Sequence, residues 1–292
     1  MKYESHANPP AVLESVNADM ARAIHTARQV ARSGVSVLLS GESGTGKHLL
    51  AAAIHQWSDR AGAPLVTVRR TVPSAPAHEG VVFPSFGSRG EDRWVEAADG
   101  GTVFFEEVAD LAPPQQATLI QLLDDHRLGG ERESEQADIR VIAATARDLA
   151  AEYRAGRFRS DLFLRLEAVH ITLPPLRERL GDLARLTESL LARFTAQYHR
   201  GALRLAPAVR QALARYCWPG NVRELESAIE RGVVLSRGNT ITTDDLPARL
   251  LDAERHHIEE AIRASSTLRQ AATRLGIDAR TLWRKRKRYG LR

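Results

Sequence analysis

The 292 residues are 43% apolar and 26% charged, the composition of an ordinary soluble chain long enough for one large domain or two to three small ones. No run of about 18 apolar residues occurs and no signal peptide opens the chain, so a cytoplasmic protein with no membrane partner is expected. The single Cys217 excludes an internal disulfide and fits a reducing compartment; its place between Tyr216 and Trp218 predicts a buried structural thiol. The net charge of +5 is uneven. From Arg263 to Arg292 ten Lys or Arg face one acid, Asp278, a net of +9, which leaves −4 on the 262 residues before them. A mildly acidic body with a strongly basic end predicts a polyanion-binding module joined to something else.

Residues 1–10 are mostly polar, end in Pro9-Pro10, and read as a flexible N-terminus. Met20, Ala23, Ile24, Ala27 and Val30 have helical spacing and predict an amphipathic helix over 17–33. The apolar run Val35-Ser36-Val37-Leu38-Leu39 predicts a strand. It is followed by Gly41-Glu42-Ser43-Gly44-Thr45-Gly46-Lys47 and then by a helix to about Ser58. In that strand, loop and helix setting G-x-x-x-x-G-K is a phosphate-binding loop: its glycines let backbone N–H groups wrap an anion, and the lysine reaches the β- and γ-phosphates. ATP with Mg2+ is the expected cofactor, and Gly41, Glu42, Ser43, Gly44, Thr45, Gly46, Lys47 and His48 are the candidate binding residues. His48 stands where most such loops have Ser or Thr for the metal, so the metal must be held mainly from elsewhere.

Strands are predicted at 64–68, 101–108, 138–145 and 169–173, with a helix over 113–126 and a Pro- and Gly-rich loop over 71–92. Alternating apolar strands and helices imply a parallel sheet covered on both faces, with ligands at the carboxyl ends of the strands. Glu106-Glu107 closes the third strand there. Two adjacent acids by themselves mark a solvated turn, but after Val103-Phe104-Phe105 they fit a pair in which Glu106 supports the metal and Glu107 orients or deprotonates the attacking water. From Gly181 onward the sequence reads as all-helical, with helices at about 182–198, 206–216, 222–236 and 244–251.

The basic end has its own pattern. Ile258, Ala261 and Ile262 give one apolar face, and Leu268, Ala271, Ala272 and Leu275 a second, stopped by Gly276. Asp278 is a good N-cap for a last helix from Ala279 to Tyr289. Helix, short turn and helix is the helix-turn-helix signature, and its last helix enters the major groove of double-stranded DNA. Arg280, Thr281, Arg284, Lys285, Lys287 and Arg288 are the candidate DNA-binding residues.

From about residue 11 to the end the chain resembles the NtrC-like, sigma-54-dependent transcription activators, an AAA+ module followed by a Fis-type helix-turn-helix. The matching stretches are the phosphate-binding loop, Ala98-Asp99-Gly100-Gly101-Thr102-Val103-Phe104, Phe158-Arg159 through Arg165-Leu166, Leu173-Pro174-Pro175-Leu176-Arg177-Glu178-Arg179, Trp218-Pro219-Gly220-Asn221-Val222-Arg223-Glu224-Leu225, and Thr281 to Leu291. The resemblance implies trans-acting arginine fingers at Arg159 and Arg165, a nucleotide-sensing lid arginine at Arg223, an oligomeric ring, alone or mixed with a relative, and RNA polymerase holoenzyme as partner. The fold class is then α/β: an AAA+ P-loop parallel sheet with a helical lid and a small all-α helix-turn-helix domain. The expected domains are 11–178 for the ATP-binding subdomain, 179–251 for the lid and 252–292 for DNA binding, with no room ahead for a receiver domain.

Several positions depart from the family pattern. After the loop lysine the family has an acid rather than Ser or Thr, and this chain has His48 there. The family's Gly-Ala-Phe-Thr-Gly-Ala string, which contacts sigma-54, is absent; the interval holds Phe83-Pro84-Ser85-Phe86-Gly87-Ser88, and Glu106 follows Lys47 by 59 residues, several fewer than usual. Glu106 replaces an Asp, Ala146 replaces a sensor Asn, and Arg69 replaces the Asn that restrains the catalytic Glu. Each change removes or displaces a polar group from a site that needs close positioning. The leading expectation is an ATP-binding, DNA-binding transcriptional regulator that does not remodel sigma-54 polymerase by itself. The alternatives are a working ATPase activator with a divergent contact loop, and a nucleotide-insensitive DNA-bound scaffold or repressor.

Overall fold

Alternation along each strand decides the layering. Val37 and Leu39 point to one side of the sheet and Leu38 to the other; Phe104 opposes Val103 and Phe105; Ile142 and Ala144 oppose Val141 and Ala143. Both sets are buried, so the sheet must be covered twice. The computed structural model describes residues 13–69, 81–82, 97–125, 138–250, 258, 262, 265, 267–275 and 277–288. Its elements are α1 (Ala18–Ala31), β1 (Val37–Ser40), α2 (Lys47–Gln56), β2 (Leu65–Arg69), β3 (Val81–Val82), β4 (Thr102–Phe105), α3 (Pro113–Asp125), β5 (Arg140–Thr145), α4 (Leu149–Arg154), α5 (Ser160–Leu166) and β6 (His170–Thr172). Every strand pair is parallel, in the order β3-β2-β4-β5-β1-β6. Met20, Ile24 and Ala27 of α1 with Leu50 and Ile54 of α2 cover one face; Leu119 and Leu122 of α3 with Leu162 and Leu166 of α5 cover the other. Full burial of each Leu, Ile or Phe contributes about 1.5–3 kcal/mol, so these two layers dominate the stability of this part.

Packing divides the chain into Met1–Gly181 and Asp182–Arg292. The second unit holds α6 (Leu183–Gln197), β7 (Arg204–Leu205), α7 (Pro207–Arg215), α8 (Asn221–Leu235), β8 (Thr240–Ile241), α9 (Leu268–Arg274) and α10 (Ala279–Arg288).

Four expectations need correction. The interval predicted as loop contains β3, because Val81-Val82 finds the free edge of β2; the rest of that interval up to residue 96, including Phe86, lies outside the described residues. The second unit is not all-helical, since β7 and β8 pair in parallel. The helix predicted over 244–251 is a 3-10 turn at Thr243–Asp245, where Thr242 and Asp245 form a capping box, followed by helical residues from Ala248. Cys217 is exposed. Tyr216 is extended, so successive side chains alternate: Tyr216 and Trp218 turn inward and the thiol between them turns out.

Two buried polar groups lie at the sheet's starting edge. Arg140, 2% exposed, donates from Nη1 to the Ala31 carbonyl at 2.5 Å and from Nη2 to the Val30 carbonyl at 2.7 Å. The guanidinium thus meets the negative end of α1, while burial holds its pKa below the ordinary arginine value. His55 Nε2 faces the Ala63 carbonyl at 3.1 Å, and Nδ1 lies 2.9 Å from the Thr102 hydroxyl. A carbonyl only accepts, so Nε2 carries the proton and neutral Nδ1 accepts from Thr102. Burial, helped by the nearby Arg140 charge, lowers the His55 pKa from its ordinary 6.5 despite the Ala63 carbonyl. Below that value the unfolded chain takes up more protons than the folded one. This contribution to stability is therefore complete above pH 6.5 and is lost as pH falls. Thermal melts from about pH 8 to about pH 5 should lose more Tm in the wild type than in His55→Gln, which keeps one donor and one acceptor but does not titrate; equal slopes would contradict the assignment.

Candidate nucleotide site and helix-turn-helix

The loop between β1 and α2 leaves an inner strand. Gly41 N–H donates to the Thr145 carbonyl at 3.3 Å, and Leu173 N–H donates to the Ser40 carbonyl at 2.8 Å, so both neighbouring strands hold the exit. Gly41, Gly44 and Gly46 have φ of +144°, +79° and +107°, conformations that L side chains rarely adopt. Gly46 is the N-cap of α2 and brings no side chain to the helix's first N–H groups. An uncapped helix start beneath a loop of left-handed glycines is a cradle for an anion of phosphate type. Lys47 is buried and folds back, its Nζ donating to the carbonyls of Gly41 at 2.6 Å and Glu42 at 3.1 Å.

β4 and β5 bring the acids beside this lysine. Glu107 has φ +53°, an uncommon value for a residue with a Cβ. Its Oε2 accepts the Ala146 N–H at 2.8 Å and its Oε1 lies 3.6 Å from Lys47 Nζ. The position that lacks the sensor side chain therefore still serves Glu107 through its backbone. Glu106 Oε1 lies 3.3 Å from His48 Nδ1. Gly41–His48, Glu106 and Glu107 are thus assembled at one end of the sheet. Arg69 ends β2.

Arg159 and Arg165 point elsewhere. Arg159 grips Asp161 with Nε at 3.1 Å and Nη2 at 2.8 Å, which holds the Asp161 carboxyl down to about pKa 2. Arg165 makes a bidentate pair with Asp124 and donates to the Asp161 carbonyl at 3.0 Å. Both pairs are solvent-exposed. Two further arginines that sequence reasoning leaves without a role reach the loop. Arg177 binds Glu42 bidentately at 2.8 and 2.6 Å, and Arg179, buried, donates to the Thr45 carbonyl at 2.5 Å. The available signal was their position just past the end of the fifth predicted strand, on the edge where the loop lies.

Residues 13–172 match the family described as Sigma-54 interaction domain, residues 177–262 the AAA+ ATPase lid domain, and residues 250–289 the Fis family of bacterial regulatory proteins. The chain belongs to the sigma-54 interaction domain family. It is 41% identical over 303 residues to the alginate biosynthesis transcriptional regulatory protein AlgB of Pseudomonas aeruginosa, covering 96% of this chain and 68% of AlgB. It is 38% identical over 279 residues to the transcriptional regulatory protein ZraR of Escherichia coli, covering 87% of this chain and 63% of ZraR. The crystal structure of NtrX from Brucella abortus in complex with ATP superposes with a TM-score of 0.70 at 30% identity, covering 97% of this chain and 70% of NtrX. The chain thus spans about two thirds of the relatives it matches. No helix among the described residues of this sigma-54-type regulator is long and apolar enough to cross a membrane.

In the lid of this AAA+ regulator, Glu224 holds the start of α8. It accepts Gly220 N–H at 2.9 Å and the Tyr216 hydroxyl at 3.0 Å, and pairs with Arg249 at 2.9 Å. Burial and that carboxylate push the Tyr216 hydroxyl up to about pKa 12. Trp218 is fully buried and donates to the Leu213 carbonyl at 3.0 Å. Arg223 lies exposed in the first turn of α8.

The helix-turn-helix closes on Ile258, Ala271, Ala272, Leu275 and Leu282; Ala261, Gly276 and Tyr289 lie outside the described residues. With Leu282 inward, Arg280, Arg284 and Lys287 share the exposed side of α10, and Thr281 and Lys285 are half-buried; Arg288 is its last residue. Trp283, outside the candidate set, is 56% exposed on that side with Lys287 Nζ 5.7 Å from its ring centre. Asp278 caps the helix: it accepts Thr281 N–H at 2.9 Å and the Thr281 hydroxyl at 2.6 Å, and these bonds hold its carboxyl below the ordinary 3.8. The cap's contribution is present above pH 3.8 and is lost as pH falls. Asp278→Ala should lower helix content by far-UV circular dichroism and weaken DNA binding, whereas Asp278→Asn, which keeps the acceptor, should retain most of both.

Proposed function

We infer that this chain is an ATP-binding, DNA-binding transcriptional regulator that assembles through its AAA+ module, holds nucleotide with little turnover, and does not remodel sigma-54 polymerase alone. The observation that carries the nucleotide part is the buried Lys47 within a left-handed glycine loop, beside Glu106 and Glu107. Lys47 exchanges the Gly41 and Glu42 carbonyls for the β- and γ-phosphates, while the α2 N–H groups and the loop backbone hold the rest. Glu106 would be a carboxylate holding Mg2+, whose charge would offset that of the phosphates. NtrX has been crystallised in complex with ATP, which supports the same ligand here.

Glu107 orients the attacking water, and its carboxylate is held by one backbone N–H. Arg159 and Arg165 serve a neighbouring subunit's γ-phosphate in the assembled ring, after leaving Asp161 and Asp124. Exposed, solvent-screened pairs are weak, so their release costs little. Arg223 senses the nucleotide from the lid. Arg280, Arg284 and Lys287, with Thr281, Lys285 and Arg288, contact the DNA backbone and base edges. RNA polymerase is the partner, but the string that contacts sigma-54 is absent from the sequence. We propose 1–10 as a tail, 11–178 as the ATP-binding subdomain, 179–251 as the lid and 252–292 as the DNA-binding domain.

One observation favours a second reading, a working ATPase. Glu107 is present and tethered 3.6 Å from Lys47. ATP binding and turnover, measured across protein concentrations with Lys47→Ala and Glu107→Gln, separate the two. The leading reading expects ATP binding that weakens about tenfold or more in Lys47→Ala, and turnover near background in wild type and Glu107→Gln alike. Turnover that rises steeply with concentration and vanishes in both variants would establish the second reading instead.

A further inference from the structure

His48 is the second residue of α2, at the position where a phosphate-binding loop commonly presents a hydroxyl to the metal. Its ring stands edge-on to Phe104, with centroids 5.6 Å apart. Nδ1 is buried, lies 3.3 Å from Glu106 Oε1, and makes no hydrogen bond. A buried imidazole nitrogen at contact distance from a carboxylate oxygen, without hydrogen-bond alignment, is short of a partner. A shared cation completes the arrangement. Two donors each about 2.1 Å from one ion stand about 3.0 Å apart in octahedral and about 3.4 Å apart in tetrahedral coordination. The observed separation lies between these values.

We propose that the divalent cation bound with the nucleotide is held by His48 Nδ1 together with Glu106 Oε1, and that the site therefore prefers Mn2+ or Co2+ to Mg2+. The proposal rests on the nucleotide-binding reading above. Mg2+ takes oxygen donors and loses water reluctantly, so a nitrogen beside it contributes little. An imidazole nitrogen is a better donor to transition ions than to Mg2+, and affinity for a mixed nitrogen and oxygen site rises along the row from Mn2+ to Co2+. No group of three or more protein donors gathers among the described residues. Phosphate oxygens and water must complete the shell, so the ion binds only with nucleotide. The specificity lies in residue 48, which turns an all-oxygen site into a mixed nitrogen and oxygen one.

The test uses the full chain with ADP, and Mn2+ or Mg2+ as the only divalent ion. Pulsed electron paramagnetic resonance of the Mn2+–ADP complex should show coupling to a directly bound nitrogen. Labelling the protein's histidines with 15N should convert that signal to the 15N form, which excludes the adenine ring as its source. The coupling should vanish in His48→Ser. The ratio of ADP affinity in Mn2+ to that in Mg2+ should be at least about fivefold higher in wild type than in His48→Ser. ADP that binds with no histidine coupling, or with the same ratio in both proteins, overturns this proposal and leaves the nucleotide reading standing. ADP that binds with neither ion overturns both. The labelling result in wild type stands even if the variant fails to fold.

Discussion

The nucleotide site depends on how β1 ends. Gly41 is hydrogen-bonded to Thr145 on one side, and its Cα approaches Leu173 so closely that a Cβ would lie 2.6 Å from the Leu173 carbonyl oxygen. Only glycine fits, and only while β5 and β6 flank β1 in register. From this point the loop has one direction to take, and α2 begins where the loop returns. β4 lies one strand beyond β5 and ends at the same edge, so its two acids arrive opposite Lys47. A one-residue slip of β1 would exchange Leu38 for Leu39 between the two hydrophobic layers. The core therefore fixes the geometry of the chemistry.

Much of this was legible in the sequence, because apolar alternation and glycine spacing are local signals. The five main strands, α1, the loop and the Asp278 cap follow from patterns a few residues long. What was not legible depended on partners distant in sequence. Val81-Val82 is a strand only because the β2 edge is free to receive it. Arg140 interrupts an otherwise apolar run, and nothing nearby shows that two α1 carbonyls absorb it. Cys217 is exposed although its hydrophobic neighbours suggest burial, because an extended backbone alternates its side chains.

The arginines show the same limit at the site. The family resemblance singles out Arg159 and Arg165, yet both side chains are engaged within their own chain by Asp161 and Asp124. The arginines that touch the loop, Arg177 and Arg179, sit in a stretch whose sequence conveys only a family likeness. Three positions that differ from the family pattern fare differently. Ala146 supplies Glu107 with its backbone N–H, so a lost side chain did not leave that carboxylate without a hold. Glu106 reaches toward His48 rather than standing alone. Arg69 keeps its place at the end of β2.

The grip of Arg177 on Glu42 and of Arg179 on Thr45 has a mechanical meaning. These arginines lie four and two residues before Gly181, where the first unit ends. The chain therefore leaves that unit from a segment anchored on the loop's own carboxylate and carbonyl. Glu42 and Thr45 thus tie the loop to the last residues of the first unit.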